Sequence, residues 1–207
     1  MCGVFAYNGP EPVDLRWIQQ VAKLAGYRGP YSFGFAWRGL DESWQVYKQV
    51  GALDENLDTL ERVVGAVQVI GHARLATSGD FRQLENNQPL IKDDVAIAHN
   101  GNVYNWQALA RMYGFTPETA NDSEALLHLI DGDVSASKVE QTIAQIDACS
   151  PNSLLVAGTD CIIAYRDRHP LYVKWADDGI GVYLCSRQID GGRLLPAGQA
   201  IGFARTS

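Results

Sequence analysis

Cys2 follows Met1 directly and precedes the small Gly3. A second residue as small as cysteine permits removal of the initiator methionine, which would put a thiol and a free α-amine on one residue. An α-amine titrates near ~7.7–8.0, far below lysine, so part of it is neutral at physiological pH and can take or relay the thiol proton. From position alone, Cys2 is equally an early small apolar residue. Arg74 interrupts the apolar run 66–75. Its planar fork suits a two-pronged grip on a carboxylate, but a buried guanidinium needs a partner anyway, so a structural ion pair competes with that role. Asn100-Gly101 closes the apolar run 95–99. Asn-Gly is a common turn, and a turn at a strand end is also where a site loop is expected. Asp122 stands just before a helical pattern, where it can cap the helix, pair with an ammonium group, or do both.

These residues hang on an alternation of short strands and helices. Residues 3–7 read as a strand stopped by Asn8-Gly9-Pro10. After Asp14, the apolar positions Ile18, Val21, Ala22 and Ala25 follow helical spacing to about Gly26. Strands are predicted over 33–38 and 43–50, a helix over 54–64, and strands over 66–75 and 95–99 with a polar loop (78–89) between them. Helical spacing returns at Trp106, Leu109, Ala110 and Tyr113, again at Leu126, Leu127 and Ile130 after Asn121-Asp122-Ser123, and over 136–147. The remainder is β-rich, with strands predicted over 153–157, 161–165, 171–175, 180–185 and 200–204. No linker, low-complexity tract or repeat divides the chain, so one mixed α and β domain over 1–207 is expected.

Composition removes several function classes. The 207 residues are 46% hydrophobic and 20% charged, enough for a sizeable core. Seventeen basic against 24 acidic residues give a net charge of −7, which disfavours a nucleic-acid or anionic-membrane surface as partner. The cysteines (Cys2, Cys149, Cys161, Cys185) lack C-x-x-C spacing and the histidines (His72, His99, His128, His169) lack paired ligand spacing, so no metal site and no disulfide framework are expected. With neither a signal-peptide pattern nor a membrane-length apolar run, a cytoplasmic location is expected.

Several segments, taken in order, resemble one family. Met1-Cys2-Gly3-Val4-Phe5 is similar to the start of class II glutamine amidotransferase domains, which are N-terminal-nucleophile hydrolases. Tyr27-Arg28-Gly29-Pro30, Gly71-His72-Ala73-Arg74-Leu75-Ala76-Thr77, Asn87-Gln88-Pro89-Leu90, Ala98-His99-Asn100-Gly101-Asn102-Val103-Tyr104-Asn105 and Asn121-Asp122-Ser123-Glu124 resemble its later motifs. Arg28-Gly29-Pro30, Arg74-Leu75, Asn87-Gln88-Pro89-Leu90 and the stretch from Tyr104 to Leu109 look most like the glutaminase half of asparagine synthetase. His99-Asn100-Gly101-Asn102 and Asp122-Ser123-Glu124 look more like amidophosphoribosyltransferase. Leu75 stands where other subgroups place Trp or Tyr.

The resemblance implies a four-layer αββα sandwich (α+β) and hydrolysis of L-glutamine to glutamate and ammonia through a Cys2 thioester. It assigns catalysis to Cys2, Asn100 and Gly101, with the Asn100 amide and the Gly101 N–H forming the oxyanion site. It assigns substrate binding to Arg74, Thr77, Asn102 and Asp122, with Arg74 on the α-carboxylate and Asp122 on the α-ammonium. Asn102 departs from the glutamate of the asparagine-synthetase pattern and matches the asparagine of the amidophosphoribosyltransferase pattern. No cofactor is implied. No synthase motif is visible, so an ammonia-accepting synthase partner in trans is expected. Two other readings remain open: an N-terminal-nucleophile amidase for a different amide, and a non-catalytic regulatory subunit of this fold. His72 and His99 are expected to satisfy internal hydrogen bonds, and Cys149, Cys161 and Cys185 to be reduced core residues.

Overall fold

The computed structural model describes residues 1–40, 42–75, 79–147, 152–177 and 179–205. The elements run β1 (Gly3–Asn8), α1 (Leu15–Gly26), β2 (Ser32–Arg38), β3 (Gln45–Val50), β4 (Gln68–Arg74), β5 (Leu90–Lys92), β6 (Val95–Asn100), α2 (Trp106–Tyr113), α3 (Glu124–Ile130) and α4 (Ala136–Ile143). They continue with β7 (Ser153–Ala157), β8 (Cys161–Arg166), β9 (Tyr172–Trp175), β10 (Val182–Cys185), β11 (Arg193–Leu194) and β12 (Gln199–Ala204). Local chemistry accounts for the best-defined start: the Asp14 carboxylate accepts from Arg16 N (2.8 Å) and Trp17 N (3.1 Å), which caps α1.

The helix predicted over 54–64 is instead two 3₁₀ segments, Leu53–Glu55 and Leu57–Val63. Asn56 separates them. Its side chain donates to Ala52 O (2.8 Å) and accepts from Gln49 (3.0 Å), local bonds that compete with a continuous helix. β5 and β11 were not predicted; at three and two residues they are too short to leave a periodic signal.

Pairing yields a seven-stranded sheet, β11-β9-β10-β1-β4-β2-β3, and a five-stranded sheet, β12-β8-β7-β6-β5, each antiparallel at every pair. Because successive strand side chains point to opposite faces, the buried apolar residues sort into three layers. Phe5, Tyr7, Phe33, Phe35 and Ala73 meet Ile18, Val21, Ala22 and Ala25 of α1. Val4, Ala6, Ala36 and Ile70 of the first sheet meet Ala96, Ala98, Leu155 and Ala164 of the second. Ile97, Leu154, Val156 and Ile163 meet Leu126, Ile130 and Val139 of α3 and α4. This is the expected αββα sandwich. Its central strands are covered on both faces, which is why they read as unbroken apolar runs.

Polar groups enter the layer between the sheets at its two ends. At the far end they satisfy one another: Arg38 Nε donates to Gln68 (2.7 Å), Gln68 Nε2 to Asn8 (3.0 Å) and Asn8 Nδ2 to Phe203 O (2.9 Å). The near end carries Cys2, His72, Arg74, Asn100 and Ser153 and is organised differently.

Candidate active site

Cys2 lies at the entry to β1, half-buried. Its Sγ sits against the main chain of Leu75, 3.4 Å from the N–H and 3.5 Å from the carbonyl oxygen. Leu75 therefore meets the thiol through its backbone, where the sequence drew notice only to its side chain. Burial pushes the Cys2 thiol above its ordinary value; the Leu75 N–H, the terminal ammonium and the Arg74 and Arg28 guanidinium groups pull in the opposite direction without overcoming it.

Arg74 ends β4 and is 4% exposed. Its Nη1 donates to Asn86 O (2.9 Å) and Asn87 Oδ1 (2.5 Å), and its Nη2 to Gly79 O (3.2 Å). The guanidinium thus gathers the polar segment that follows it, which Asn86 extends by accepting from Ala120 N (2.7 Å) and Asn121 Nδ2 (2.8 Å). These bonds go to carbonyl and amide oxygens rather than to the carboxylate of an ion pair. They also tie the Arg74 motif to the Asn121-Asp122 motif, placing two distant sequence segments side by side.

Asp122 is half-buried, and its Oδ2 accepts from Val103 N (2.6 Å). Helix α3 begins at Glu124 with Ser123 in the cap position, so this carboxylate braces the segment after Gly101 rather than opening the helix. Asp122 is close enough to act electrostatically on both Arg74 and His99. Asn102 is half-buried in the same segment. Thr77, expected at the substrate, and Cys149 lie outside the described residues.

Asn100 closes β6 at 2% exposure, and its Nδ2 is buried with no hydrogen-bond partner. A stack of buried side chains fixes the backbone behind it. His99 Nδ1 lies 2.9 Å from Ser123 Oγ and Nε2 2.9 Å from Asn152 Oδ1, while Gln88 accepts from His99 N (2.6 Å) and donates to His99 O (3.2 Å). Asn152 is held in turn by Asp167 through its N–H (2.6 Å) and Nδ2 (3.1 Å). A Cβ on Gly101 would collide with Asn152 Oδ1 and come within 2.5 Å of His99 Nε2, so this turn must carry glycine.

His99 therefore meets its expectation of internal hydrogen bonding. His72 meets it only weakly: its buried ring faces the His99 backbone, and neither ring nitrogen makes a well-aligned hydrogen bond. Burial first, then the Arg74 charge and His99, pushes its pKa down to about 3, so the ring is neutral. Cys185 is a core residue of the first sheet, whereas Cys161 is half-buried at a strand start.

Sequence reasoning assigns Arg28 no role beyond its place in the Tyr27-Arg28-Gly29-Pro30 motif. Its Nη1 donates to Ser186 O (2.6 Å), its Nη2 reaches Met1 Sδ (3.3 Å), and its charge acts on Cys2. Gly29 next to it lies so close to the Ala73 carbonyl that no side chain would fit. A charged residue pinned beside such a glycine was the available signal.

A facing pair of antiparallel sheets between helices is a fold shared with solved amidotransferases. The Bacillus subtilis glutamine phosphoribosylpyrophosphate amidotransferase superposes with a TM-score of 0.71 at 24% identity, covering 94% of this chain and 44% of that one. A glutamine aminotransferase class-II domain protein from Silicibacter pomeroyi does so at 0.67 with 17% identity, covering 98% and 95%. Residues 72–189 match the glutamine amidotransferase domain model, and the chain belongs to that family. Among relatives, glutamine–fructose-6-phosphate aminotransferase (isomerizing) of Halobacterium salinarum is 32% identical over 190 residues, spanning 86% of this chain and 30% of that protein. Amidophosphoribosyltransferase of Staphylococcus aureus is 33% identical over 139 residues, spanning 62% and 27%. The chain thus spans less than a third of the length of these curated relatives. Among the described residues, no helix is long and apolar enough to cross a membrane.

Proposed function

We propose that this chain hydrolyses L-glutamine to glutamate and ammonia with Cys2 as nucleophile. The observation that carries the reading is the seat of the Cys2 thiol against the Leu75 main chain, within electrostatic reach of the Arg74 guanidinium, which in this reading holds the substrate carboxylate. The Cys2 sulfur attacks the side-chain amide carbon. The resulting oxyanion is received by Asn100 Nδ2 and the Gly101 N–H, groups whose strand-end position is fixed before substrate arrives. The Cys2 α-amine takes the thiol proton as the sulfur attacks and passes it to the nitrogen, which leaves as ammonia; it then takes a proton from the water that attacks the thioester and returns it to the departing Cys2 sulfur. Removal of Met1, which is 62% exposed, supplies that amine.

Arg74 and Asp122 complete an amino-acid clamp in which opposite charges receive the α-carboxylate and the α-ammonium. Thr77 and Asn102 are assigned to substrate binding in this reading. Residues 1–207 act as one domain, a reading supported by sheets that each draw strands from both halves of the chain. The ammonia passes to a synthase unit, since free ammonia near neutral pH is mostly protonated and lost to solution.

The test is glutamate release from free L-glutamine by protein whose mass confirms loss of Met1, with Cys2→Ala as control. Turnover abolished in the variant is the expected result. Equal turnover by the variant, or none by the processed protein alone and with a synthase present, overturns the reading.

A further inference from the structure

The Cys2 end of the inter-sheet layer gathers buried polar atoms of which the hydrolytic mechanism uses only the Asn100 amide. Beneath Cys2, the Ser153 hydroxyl and the Asn100 Nδ2 are buried without partners, and the buried His72 ring meets only the His99 backbone, at no more than a poorly aligned hydrogen bond. They belong to one place. Asn100 and Ser153 are directly paired across β6 and β7, and both side chains continue the inward-facing rows Ala96-Ala98 and Leu155-Ala157. Directly opposed residues of an antiparallel pair hold their Cβ atoms about 4.5–5.5 Å apart. His72 continues the inward row of Ile70 on β4, which packs over β6, while β1 packs over β6 and β7. The His99 carbonyl lies near enough to act on the His72 ring, which places that ring beside the His99–Asn100 peptide. The flanking residues of His72 in its own sheet are Val4 and Gly34, neither of which offers a polar side chain.

An unmade hydrogen bond at a buried polar atom is costly, and several such atoms in one place call for a shared partner. A neutral imidazole presents one donor and one acceptor, a hydroxyl both, and the Asn100 amide two donors of which the oxyanion needs only one. This is the bonding inventory of a single water-sized molecule, which typically makes about three hydrogen bonds in a protein interior.

We propose that His72, Ser153 and Asn100 form a closed binding site for one internal water molecule under the nucleophile, and that this water fixes the Asn100 carboxamide for the oxyanion. The proposal rests on the oxyanion role given to Asn100 above. His72 and Ser153 are then positioning residues: neither touches glutamine, and each acts through the water on one amide. The second N–H of Asn100 is thereby occupied, and the amide cannot rotate when the substrate oxygen arrives.

The experiment pairs a high-resolution crystal structure of the Met1-processed protein with steady-state kinetics of three variants. Ordered solvent within hydrogen-bond distance of a His72 ring nitrogen, Ser153 Oγ and Asn100 Nδ2 is expected. Side chains bonded directly to other protein atoms, or a dry space, would overturn the site whether or not the protein turns over glutamine. In kinetics, Ser153→Ala and His72→Leu should lower kcat on the order of tenfold to a hundredfold, the loss expected when a catalytic group is slightly misplaced, with KM unchanged. His72→Gln keeps a donor and an acceptor without ring chemistry and should recover most of kcat. A purely structural histidine would lower thermal stability in both His72 variants and leave kcat per folded molecule intact, which sinks the positioning role. Wild-type protein inactive on glutamine would instead count against the function proposed above, leaving the crystallographic arm to decide the water site.

Discussion

On the proposed mechanism, Asn100→Ala removes one oxyanion donor without touching the proposed clamp, so kcat for glutamine should fall by about 10²–10³ with KM little changed. Arg74→Lys keeps the charge but loses the fork that reaches Asn86, Asn87 and Gly79. At the level of one charge-assisted hydrogen bond, KM should rise about tenfold or more, and protease cleavage within 79–87 should quicken. Burial raises the Cys2 pKa, so less thiolate exists at neutral pH than in a free cysteine. Alkylation by iodoacetamide should therefore be slow at pH 7 and climb about tenfold per pH unit beyond pH 9, where a free thiol is already levelling off. A rate that levels off at or below pH 8 would show that the nearby cations outweigh burial.

At the scale of elements, the close approach of α1 to β1 brings the cluster of Phe5, Ile18, Val21 and Ala25 together and sets where Cys2 begins. Gly3 permits it, because a Cβ there would collide with the Ala25 carbonyl. Helix backbone cannot move as a side-chain tip can, so Gly3→Ala should destabilise the fold by about 1–3 kcal/mol, read as a lowered Tm. Asp14→Ala loses the cap bonds to Arg16 and Trp17 and should cost about 1 kcal/mol, with activity per folded molecule preserved.

At the scale of the molecule, acid stability follows from the buried polar groups. His72 titrates near 6.5 when unfolded and at about 3 in the fold, and His99 is likewise lowered by burial. Between those values the unfolded chain holds the extra proton, so stability is full above about pH 7 and falls as pH drops through 6.5. Asp167 and Glu124 add a second loss. Burial alone would raise them, but hydrogen bonds from Asn152, Arg168 and His169 to Asp167, and from Thr119, Glu118 and His128 to Glu124, hold both below their usual values. Their contribution is present above about pH 4 and is lost as pH falls below it. Urea midpoints measured from pH 8 to pH 4 should therefore decline from about pH 6.5, with the early part of that decline reduced in His72→Gln. The strand order gives a further expectation: a fragment ending at residue 150 lacks β9–β11 of the first sheet and β7, β8 and β12 of the second, and should not unfold cooperatively.

The sequence itself determined most of the elements, and its family motifs supplied the candidate site residues. Cys2, Arg74, Asn100 and Asp122 stand out because the motifs around them resemble those of class II glutamine amidotransferases, and α1 is visible because its apolar spacing and its Asp14 cap agree. Only the tertiary structure decided how those residues are satisfied. Leu75 meets the thiol through its main chain, Arg74 gathers the following segment, Asp122 braces Val103 instead of capping α3, and Asn152 with Asp167 backs the Asn100-Gly101 turn across more than fifty positions. The division has one physical cause. Propensity and periodicity are written in neighbouring residues, whereas a hydrogen-bond partner is chosen by whichever polar group the packing of two sheets brings within reach, and only the folded chain fixes that geometry.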